Sequence, residues 1–371
     1  MTTLHPTPGA PEEVAAFRFS GETLTDAAAA LFRAAGSPAE EAATVAWLLV
    51  AANLAGHDSH GVVRIPQYLR NLRRGRVVPG QKNTVLGDDG AVVRMSANFG
   101  YGQTATLEGV ELLTERARTH NAAAVGVSDM NHNGRQADYC AVGAQRGVLT
   151  LIFAASSGFN SIVAPFGGNR GRMNTNPFAV GIPNGDDPPL VFDIATSATT
   201  QGLLRVAADA GEKIPAELIL DDHGAPSVEP MDFYNGGAIL PFGGRQGYKG
   251  YLLNFMVEVL GGILTGGGFM GSPKRDAGGQ CVLLIGLNVA AFREMDAFKA
   301  ELDALIGYLK ASRPVEGMEV LAPGERSLRT AQRRRREGIL LPAVTLAAIQ
   351  EELDHYATGI RLESKAMEKD G

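Results

Sequence analysis

The sequence predicts an α/β protein that begins with a helical unit. Three observations lead to this fold class. Apolar residues recur at helical spacing through most of the first 80 residues. Between residues 91 and 194, short apolar runs typical of strands alternate with helical stretches. Two further amphipathic helices, over Met295–Ala311 and Pro342–Tyr356, close the chain.

The first part of the chain carries the signals of three helices. We expect these helices over Thr23–Ala35, Pro38–Ala55 and Gln67–Arg74. Gly36 and Gly75 follow the first and third of them and suit the left-handed position that commonly ends a helix. Ser37 and Glu40 form a capping box at the start of the second helix, with proline in its first position. The second helix leads directly into a histidine-rich segment.

The central part alternates between strand and helix patterns. The expected strands cover Ala91–Met95, Ala122–Val127, Leu149–Ala154, Leu190–Ile194 and Cys281–Leu287. The expected helices cover Ala105–Thr119, Gln136–Arg146 and Gly250–Gly262. Residues 160–189 are dense in glycine, asparagine and proline, which predicts a long loop with functional potential. The run Arg333–Arg336 indicates a solvated helix face, with a nucleic-acid patch as the alternative.

Composition argues against several classes of protein. The chain has 371 residues, a formal net charge of −6 and a pI near 5.7, whereas a general nucleic-acid binder needs a basic face. Cys140 and Cys281 lie in apolar contexts, so we expect buried thiols in a reducing compartment. Residues 1–13 lack a signal-peptide pattern, and no apolar run is long enough to cross a bilayer. We therefore expect a cytoplasmic protein that binds neither nucleic acid nor a membrane.

Residues Gly56–Arg64, Gly-His-Asp-Ser-His-Gly-Val-Val-Arg, hold several groups suited to acid–base chemistry. Histidine is the usual proton donor or acceptor near neutral pH. Arginine grips a carboxylate through two parallel hydrogen bonds, which orient the bound acid. If the segment is helical, His60 and Arg64 lie one turn apart on the same face. A proton-transfer group beside a carboxylate clamp predicts chemistry on a small acid.

A second histidine, His132 in the segment Asn131–Gly134, follows a predicted strand. Ligands tend to bind at the carboxyl ends of strands in α/β sheets, which favours a functional role. A structural role is the alternative, both for His132 and for His60. The spacing of His57 and His60 differs from the zinc-helix pattern, and no histidine or cysteine cluster supplies further ligands, so we expect no metal site.

Two glycine-rich stretches have the spacing of a dinucleotide fingerprint. Gly100–Ala105 lies between a predicted strand and helix, and the next strand ends near Asp129, which fits a Rossmann site in outline. Its last glycine is replaced by alanine and the acidic residue comes later than usual, so a simple glycine turn is the alternative. Gly266–Gly271 follows a helix instead of a strand, and we discount it.

Two further segments could hold a cofactor. Asp193–Ser197 follows a predicted strand and offers backbone N–H groups and hydroxyls to a phosphate or a nicotinamide. An ordinary Asx or Ser/Thr turn is the alternative there. Lys249 opens a predicted helix, where its charge and the helix dipole favour an anion. An exposed lysine on a first turn is the alternative.

Taken in chain order, these motifs resemble those of one family. The matching motifs are Gly56–Gly61, His132–Gly134, Pro165–Gly168, Thr175–Pro177, Phe192–Ser197, Leu240–Gly244, Lys249–Tyr251 and Pro323–Glu325. From about residue 18 to residue 362 the chain is similar to the NAD(P)-dependent malate/L-lactate dehydrogenases, a family that includes ureidoglycolate, sulfolactate and diketogulonate dehydrogenases. The resemblance implies a three-layer α/β/α core around a mixed sheet, not a Rossmann fold, and a homodimer. It also implies a helical domain from both termini, so we expect residues 1–85 to join about 300–371, and residues 86–300 to form the core.

The resemblance implies roles for individual residues. One of His60 and His132 would move the substrate proton while the other polarises the carbonyl, and Arg64 would bind the carboxylate with Ser59 beside it. Cofactor contacts fall on Ser156, Asp193, Ile194, Ala195, Thr196, Ser197, Tyr248, Lys249, Gly324 and Glu325. The resemblance thus predicts hydride transfer between NAD or NADP and a small 2-hydroxy acid or its 2-oxo acid.

The chain departs from the family pattern at three places. Three residues around Gly158–Asn160 are inserted after Ser156, which bears on the shape of the substrate or nicotinamide pocket. Leu252 stands where a glycine is usual. The stretch His-Phe-Ala-Ala-Leu-Trp of relatives that reduce cyclic imino acids is missing around His132, which argues against that substrate class. Imino-acid reduction and a non-catalytic, cofactor-binding role are the alternatives to the dehydrogenase.

Overall fold

The computed structural model describes residues 16–158, 161–272 and 279–363. Most of the expected N-terminal lead-in lies outside these ranges, as do Phe159 and Asn160 of the insertion. Within the described ranges, the helices lack an apolar stretch long enough to cross a membrane.

The described residues form twelve α-helices and twelve strands, with a π-helix over Glu258–Ile263. The helices are α1 (Gly21–Ala34), α2 (Ala39–Leu54), α3 (Ile65–Arg73), α4 (Gly102–His120), α5 (Gln136–Gln145), α6 (Gln201–Ala210), α7 (Pro230–Tyr234), α8 (Tyr248–Val257), α9 (Val289–Phe292), α10 (Met295–Lys310), α11 (Glu325–Glu337) and α12 (Ala343–His355). The strands are β1 (Ala16–Phe19), β2 (Thr84–Asp88), β3 (Val92–Ser96), β4 (Ala122–Met130), β5 (Val148–Ser157), β6 (Phe178–Ile182), β7 (Leu190–Ile194), β8 (Ile219–Leu220), β9 (Pro226–Ser227), β10 (Ala238–Ile239), β11 (Gly279–Asn288) and β12 (Ile339–Pro342). Every helix and strand expected from the sequence is present, with its ends displaced by a few residues.

Two local expectations are wrong. The capping box at Ser37 does not form, because its hydroxyl pairs with the Tyr101 hydroxyl at 3.0 Å and α2 begins without a side-chain cap. The loop expected over residues 160–189 is interrupted by β6. The buried face of β6 carries Ala179 and Gly181, and a Cβ at Gly181 would overlap the Cys140 carbonyl in α5. Since α5 packs so closely, this face has small side chains and a weak hydrophobic signal.

A mixed seven-stranded sheet forms the centre of the molecule. Its strand order is β2-β3-β4-β11-β5-β6-β7. The pair β3–β4 is parallel and the other neighbours are antiparallel. Helices α4 and α5 cover one face over a buried core, while α8 packs against Phe153 and Leu283 on the other. This arrangement confirms the three-layer α/β/α core and the mixed sheet.

The two ends of the described chain meet beside this core. Strand β1 pairs antiparallel with β12, and helices α1–α3 share a buried apolar cluster with α12. Phe32, Leu49 and Leu69 from the first part of the chain pack there with Ile349 and Leu353. The domain boundaries near residues 85 and 300 stay a prediction. A third unit, built from β8–β10, α6 and α7, follows β7 and has a small apolar cluster of its own.

Candidate active site

The histidine-rich segment folds as two short 3-10 turns, Asp58–His60 and Val62–Arg64, instead of one helix. Gly61 lies between them in an extended conformation, and a Cβ there would overlap the side-chain amide of Asn53 in α2. That amide accepts a hydrogen bond from the Val62 N–H at 2.8 Å. The glycine is therefore required by close packing against α2.

Helix α11 holds this segment in place from the other end of the chain. Arg334 donates to both carboxylate oxygens of Asp58, at 2.7 and 3.0 Å, and also to the Asn53 carbonyl. His57 Nε2 lies 3.2 Å from the hydroxyl of Ser327 in the same helix. The expectation that Arg333–Arg336 forms a solvated helix face is therefore wrong for Arg334, whose side chain is 19% exposed.

Folding brings the two predicted imidazoles together. The rings of His60 and His132 stack with centroids 5.9 Å apart and planes inclined by 26°. His60 Nδ1 lies 3.0 Å from the Ser59 hydroxyl, and His132 Nδ1 lies 2.6 Å from the Tyr68 hydroxyl. The Nδ1 atoms of both rings are thus engaged by protein hydroxyls, and among the described residues their Nε2 atoms have no hydrogen-bond partner.

Burial and positive charge keep both imidazoles neutral. The pKa of His60 falls to about 3, through burial first and then the charges of Arg64 and its other basic neighbours. Burial also lowers the pKa of His132 well below its ordinary value, again with a contribution from Arg64. A shift of this size at a paired site is typical of functional centres. The two neutral rings can exchange a proton with a bound substrate.

Arg64 stands beside both histidines with part of its guanidinium already fixed. Its Nε donates to the Ser59 carbonyl at 2.6 Å and its Nη1 to Gln67 Oε1 at 2.8 Å. Within the described ranges, Nη2 has no protein acceptor. The side chain is partly buried and held rigid, so its remaining N–H groups can meet a carboxylate at little entropic cost.

The loop that carries His132 is packed against the start of α4. A Cβ at Gly102 would overlap the carbonyl oxygen of Asn131, and Asn133 is fixed by its contacts with Thr106 and Gln136. The interpretation of Gly100–Ala105 as a dinucleotide-binding fingerprint is therefore wrong, although β3, α4 and β4 form the strand–helix–strand unit with parallel strands that such a site requires. The space that a pyrophosphate would need is filled by this loop, so Gly102 serves close packing.

Several predicted cofactor residues lie at the same end of the sheet as His132. The register pairs Met130, at the end of β4, with Gln280, and Gln280 with Ser156 at the end of β5. Gln280 also accepts a hydrogen bond from the Asn133 N–H at 3.1 Å. Asp193 lies one residue before the end of β7, at the same end of the sheet, and accepts from the N–H groups that begin α5, the nearer at 2.7 Å.

The hydroxyls after β7 are already committed to protein partners. Thr196 donates to the carbonyls of Thr175 and Asn176, and Ser197 donates to the Thr199 carbonyl. Any contact from these two residues to a cofactor would use their remaining oxygen lone pairs. Ile194, by contrast, is 42% exposed and could lie against a flat ring. Ala195 beside it is partly buried.

Helix α8 begins with an exposed, positively charged turn. Lys249 lies over the ring of Tyr248 at 5.9 Å, and Tyr248 contacts Phe166 edge-on. Among the described residues, Lys249 has no acidic partner. A lysine at a helix start fits the phosphates of a nicotinamide cofactor.

Gly324 and Glu325 lie at the start of α11, against the sheet. Gly324 has a φ of 82°, and a Cβ there would overlap the Val191 carbonyl in β7. Glu325 pairs with Lys310 at 2.6 Å and with Arg329 at 2.5 Å, which holds its pKa at about 2. Its carboxylate therefore links α10 to α11, and any contact with a cofactor would be made in addition to these two ion pairs.

Two polar residues of the site, Tyr68 and Gln103, were missed by sequence reasoning. Gln103 Nε2 donates to the Tyr68 hydroxyl at 2.8 Å, and that hydroxyl meets His132. A signal for Tyr68 was available, since it follows Arg64 at helical spacing. Gln103 had none, because its place beside the site depends on the packing of α4 against the His132 loop.

Comparison with known proteins agrees with this architecture. The family model described as malate/L-lactate dehydrogenase matches residues 19–350. Hydroxycarboxylate dehydrogenase B of Escherichia coli O157:H7 is 36% identical over 340 residues, covering 90% of this chain and 92% of that protein. The solved sulfolactate dehydrogenase of Methanocaldococcus jannaschii superposes with a TM-score of 0.82 at 27% identity, over 92% of this chain and 97% of that one.

A relative with different chemistry shares the fold. The Δ1-piperideine-2-carboxylate reductase of Pseudomonas syringae pv. tomato superposes with a TM-score of 0.78 at 31% identity, over 90% of this chain and 99% of that one. The family model nevertheless spans most of the sequence, including both histidines and Arg64. The chain belongs to the malate/L-lactate dehydrogenase family.

Proposed function

We propose that this protein is a nicotinamide-dependent oxidoreductase that interconverts a small 2-hydroxy acid and its 2-oxo acid. The observation that carries the proposal is the stacked pair His60–His132 beside the partly free guanidinium of Arg64. A 2-hydroxy acid offers a hydroxyl proton and a carboxylate on adjacent carbons. The site offers neutral imidazoles and a carboxylate clamp within one small volume.

Arg64 binds the substrate carboxylate through Nη2 and fixes which face of C2 is presented. His132 holds or moves the hydroxyl proton at Nε2, because its Nδ1 is engaged by Tyr68. His60, whose Nδ1 faces Ser59, places its own Nε2 toward the same oxygen and polarises it. This assignment of roles between the two histidines rests on the deeper and more rigid setting of His132.

The cofactor would lie along the end of the sheet between Ser156, Ile194 and the start of α8. Its nicotinamide supplies the hydride chemistry at C4, and the protein supplies placement and electrostatics. Lys249, which is exposed at the start of α8, would hold its phosphates. Asp193, Ala195, Thr196, Ser197, Tyr248, Gly324 and Glu325 complete the proposed cofactor site. Either NAD or NADP would serve, and both belong in the assay.

A spectrophotometric screen tests the function. Purified protein is mixed with NADH or NADPH and a panel of 2-oxo acids that differ in side-chain size and charge, and absorbance of the reduced cofactor is followed. We expect oxidation with at least one 2-oxo acid and reversal with the matching 2-hydroxy acid. Binding of cofactor without turnover of any acid would instead favour a non-catalytic role.

Reduction of a cyclic imino acid is the second candidate, because the Pseudomonas syringae reductase shares the fold. The same screen includes Δ1-piperideine-2-carboxylate. Turnover of the ketimine at a higher kcat/KM than any 2-oxo acid would replace the first proposal. The site favours the oxo acid, since two neutral imidazoles suit the transfer of a proton to and from oxygen.

We also propose that the protein works as a homodimer in the cytoplasm. Large apolar side chains are exposed along α8, the π-helix Glu258–Ile263 that continues it and the turn that follows, among them Leu252, Phe255, Ile263 and Leu264, each more than half exposed. Several large apolar side chains exposed on one segment usually indicate a surface that meets a partner. Light scattering on the purified protein would give the mass, and Leu252→Asp should shift it toward the monomer while Leu305→Asp in α10 serves as a control.

A further inference from the structure

A buried chain of hydrogen bonds runs behind the active site. Gln103 donates from Nε2 to the Tyr68 hydroxyl at 2.8 Å, and the Tyr68 oxygen lies 2.6 Å from His132 Nδ1. Gln103 is 1% exposed and Tyr68 is 3% exposed. Among the described residues, the other end of the carboxamide, Gln103 Oε1, is buried without a partner. A buried acceptor left unpaired costs free energy, so this end of the carboxamide has no hydrogen bond that holds the amide in its present orientation.

The direction of this chain fixes the tautomer of His132. A phenol has a single proton, and a hydroxyl that receives a hydrogen bond from Gln103 directs that proton to His132 Nδ1. The neutral imidazole then carries its own proton on Nε2, facing the substrate. In this state His132 can donate to an oxygen but cannot take the proton of a hydroxyl group.

We propose that Gln103 is a positioning residue whose carboxamide rotates by about 180°. This rotation reverses the direction of the hydrogen bonds from Gln103 through Tyr68 to His132, so that His132 can also accept a proton. The inference rests on the proposed function. With the amide reversed, Gln103 Oε1 accepts a hydrogen bond from the Tyr68 hydroxyl, and the Tyr68 oxygen accepts one from His132 Nδ1–H. The Nε2 atom of His132 then presents a lone pair to the substrate. Glutamine suits both states because it holds one donor group and one acceptor group on the same side chain.

The reversed chain completes the proton balance of the oxidation. The substrate O–H bond breaks as its proton moves to His132 Nε2, while the C2–H bond breaks as hydride leaves to the nicotinamide. His132 is then an imidazolium that donates from Nδ1 to Tyr68, and the proton leaves from Nε2 to water. The ionisable groups facing His132 are Arg64 and His60, with Tyr68 in contact and Tyr139 next to Tyr68. Arg64 opposes the imidazolium, so the acceptor oxygen of Gln103 matters most in that state.

Two variants and one matched control test the inference by kinetics. Gln103→Leu can neither donate nor accept, and we expect kcat to fall by about tenfold in both directions with a smaller change in KM. Gln103→Glu keeps an acceptor oxygen, and we expect it to retain turnover while the acidic limb of the oxidation profile moves up by about one pH unit. Gln145→Glu, an exposed change of the same charge, should leave the profile unchanged.

A measurement without turnover separates this inference from the proposed function. NMR of protein with ¹⁵N-labelled histidine reports the tautomer of each imidazole, and the signals of His132 are those that are missing in His132→Asn. In the free wild type near neutral pH we expect the His132 proton on Nε2. Gln103→Leu, checked for folding by circular dichroism, should change that distribution. A wild-type kcat and pH profile in Gln103→Leu, or a His132 tautomer that Gln103→Leu leaves unaltered, would overturn the reversal even if oxo acids are reduced. If no acid is turned over but the His132 tautomer changes in Gln103→Leu, the proposed function is rejected while the link between Gln103 and His132 stands.

Discussion

His60 and His132 come from distant parts of the chain, yet their rings stack at 5.9 Å. His60 is set by a 3-10 turn anchored to α2 and α11, and His132 by a loop packed on the start of α4. Neither element is long or regular, so the pair depends on the packing of three helices around it. This dependence makes the relationship sensitive to changes well away from the rings.

Replacing the histidines should separate their roles. We expect His132→Asn to lower kcat by about 10² to 10⁴-fold, the usual contribution of a positioned acid or base. We expect a smaller loss for His60→Asn, because this residue polarises the oxygen without moving its proton. Steady-state rates in both directions across pH provide the measurement, with His223→Asn on an exposed turn as the control. Equal losses in the two variants would contradict the assigned division of roles.

Arg64→Ala should discriminate between charged and neutral substrates. The guanidinium is expected to bind the carboxylate, so kcat/KM should fall by more for a 2-oxo acid than for an uncharged ketone of similar size. Arg64→Lys retains the charge but loses the paired N–H geometry and should give an intermediate loss. Arg70→Ala, an exposed arginine in α3, is the matched control. Equal losses on acid and ketone would show that Arg64 does not bind the carboxylate.

Removing the anchor between α11 and the 3-10 turn should cost both stability and activity. Arg334→Ala breaks the pairing with Asp58 and leaves the Asn53 carbonyl without its donor, so we expect a loss of about 1–3 kcal/mol in the free energy of unfolding. Turnover should fall as well, because the His57–Arg64 segment loses its fixed position. Arg335→Ala, on the exposed side of α11, should change neither quantity in denaturant unfolding or assay. Indistinguishable behaviour of the two variants would refute this anchoring role.

Two partly buried histidines should contribute a loss of stability as the solution becomes acidic. Burial lowers the pKa of His57 to about 4 and of His60 to about 3, against 6.5 in the ordinary case. Above pH 6.5 these histidines are neutral in both the folded and the unfolded protein, so they cost no stability. Below pH 6.5 the unfolded protein binds protons at these positions that the folded protein does not bind, which favours unfolding. Each such histidine contributes a slope of up to about 1.4 kcal/mol per pH unit. Urea unfolding of the wild type and of His57→Gln between about pH 7.5 and pH 4.5 isolates this contribution, because buried carboxyl groups such as Asp138, whose pKa rises to about 6, act in the opposite direction. The free energy of unfolding should fall less steeply toward acid pH in His57→Gln than in the wild type, and equal slopes would exclude His57 as a source.

A glycine substitution distinguishes packing from nucleotide binding at the start of α4. Gly102→Ala should push the Asn131 carbonyl, displace the His132 loop and lower kcat, while the dissociation constant of the cofactor stays close to that of the wild type. Gly307→Ala in α10, where a Cβ meets open space, should be neutral or stabilising by about 1 kcal/mol. Cofactor titration by fluorescence gives the constants. A large loss of cofactor affinity with normal kcat in Gly102→Ala would restore the dinucleotide interpretation.

The sequence was most informative where local patterns suffice. Periodicity located the long helices and the strands of the central sheet, and the motif order identified the family. It failed at β6, whose buried Ala179 and Gly181 are small because α5 lies so close. It also failed at Ser37, where a tertiary contact with Tyr101 replaces the local cap. In both places a neighbour distant in sequence outweighed the local preference.

By itself the chain determined which side chains were available for chemistry: two imidazoles, a guanidinium, and the motifs of a nicotinamide enzyme. Only the tertiary structure decided how they meet. In the folded protein the rings of His60 and His132 stack, and Asp58 pairs with Arg334. The Asn131 carbonyl packs against Gly102 where a phosphate was expected, and Gln103 donates a hydrogen bond to Tyr68. The physical reason is that hydrogen-bond direction, burial and pKa depend on groups within a few ångströms, and most of those groups come from other segments of the chain.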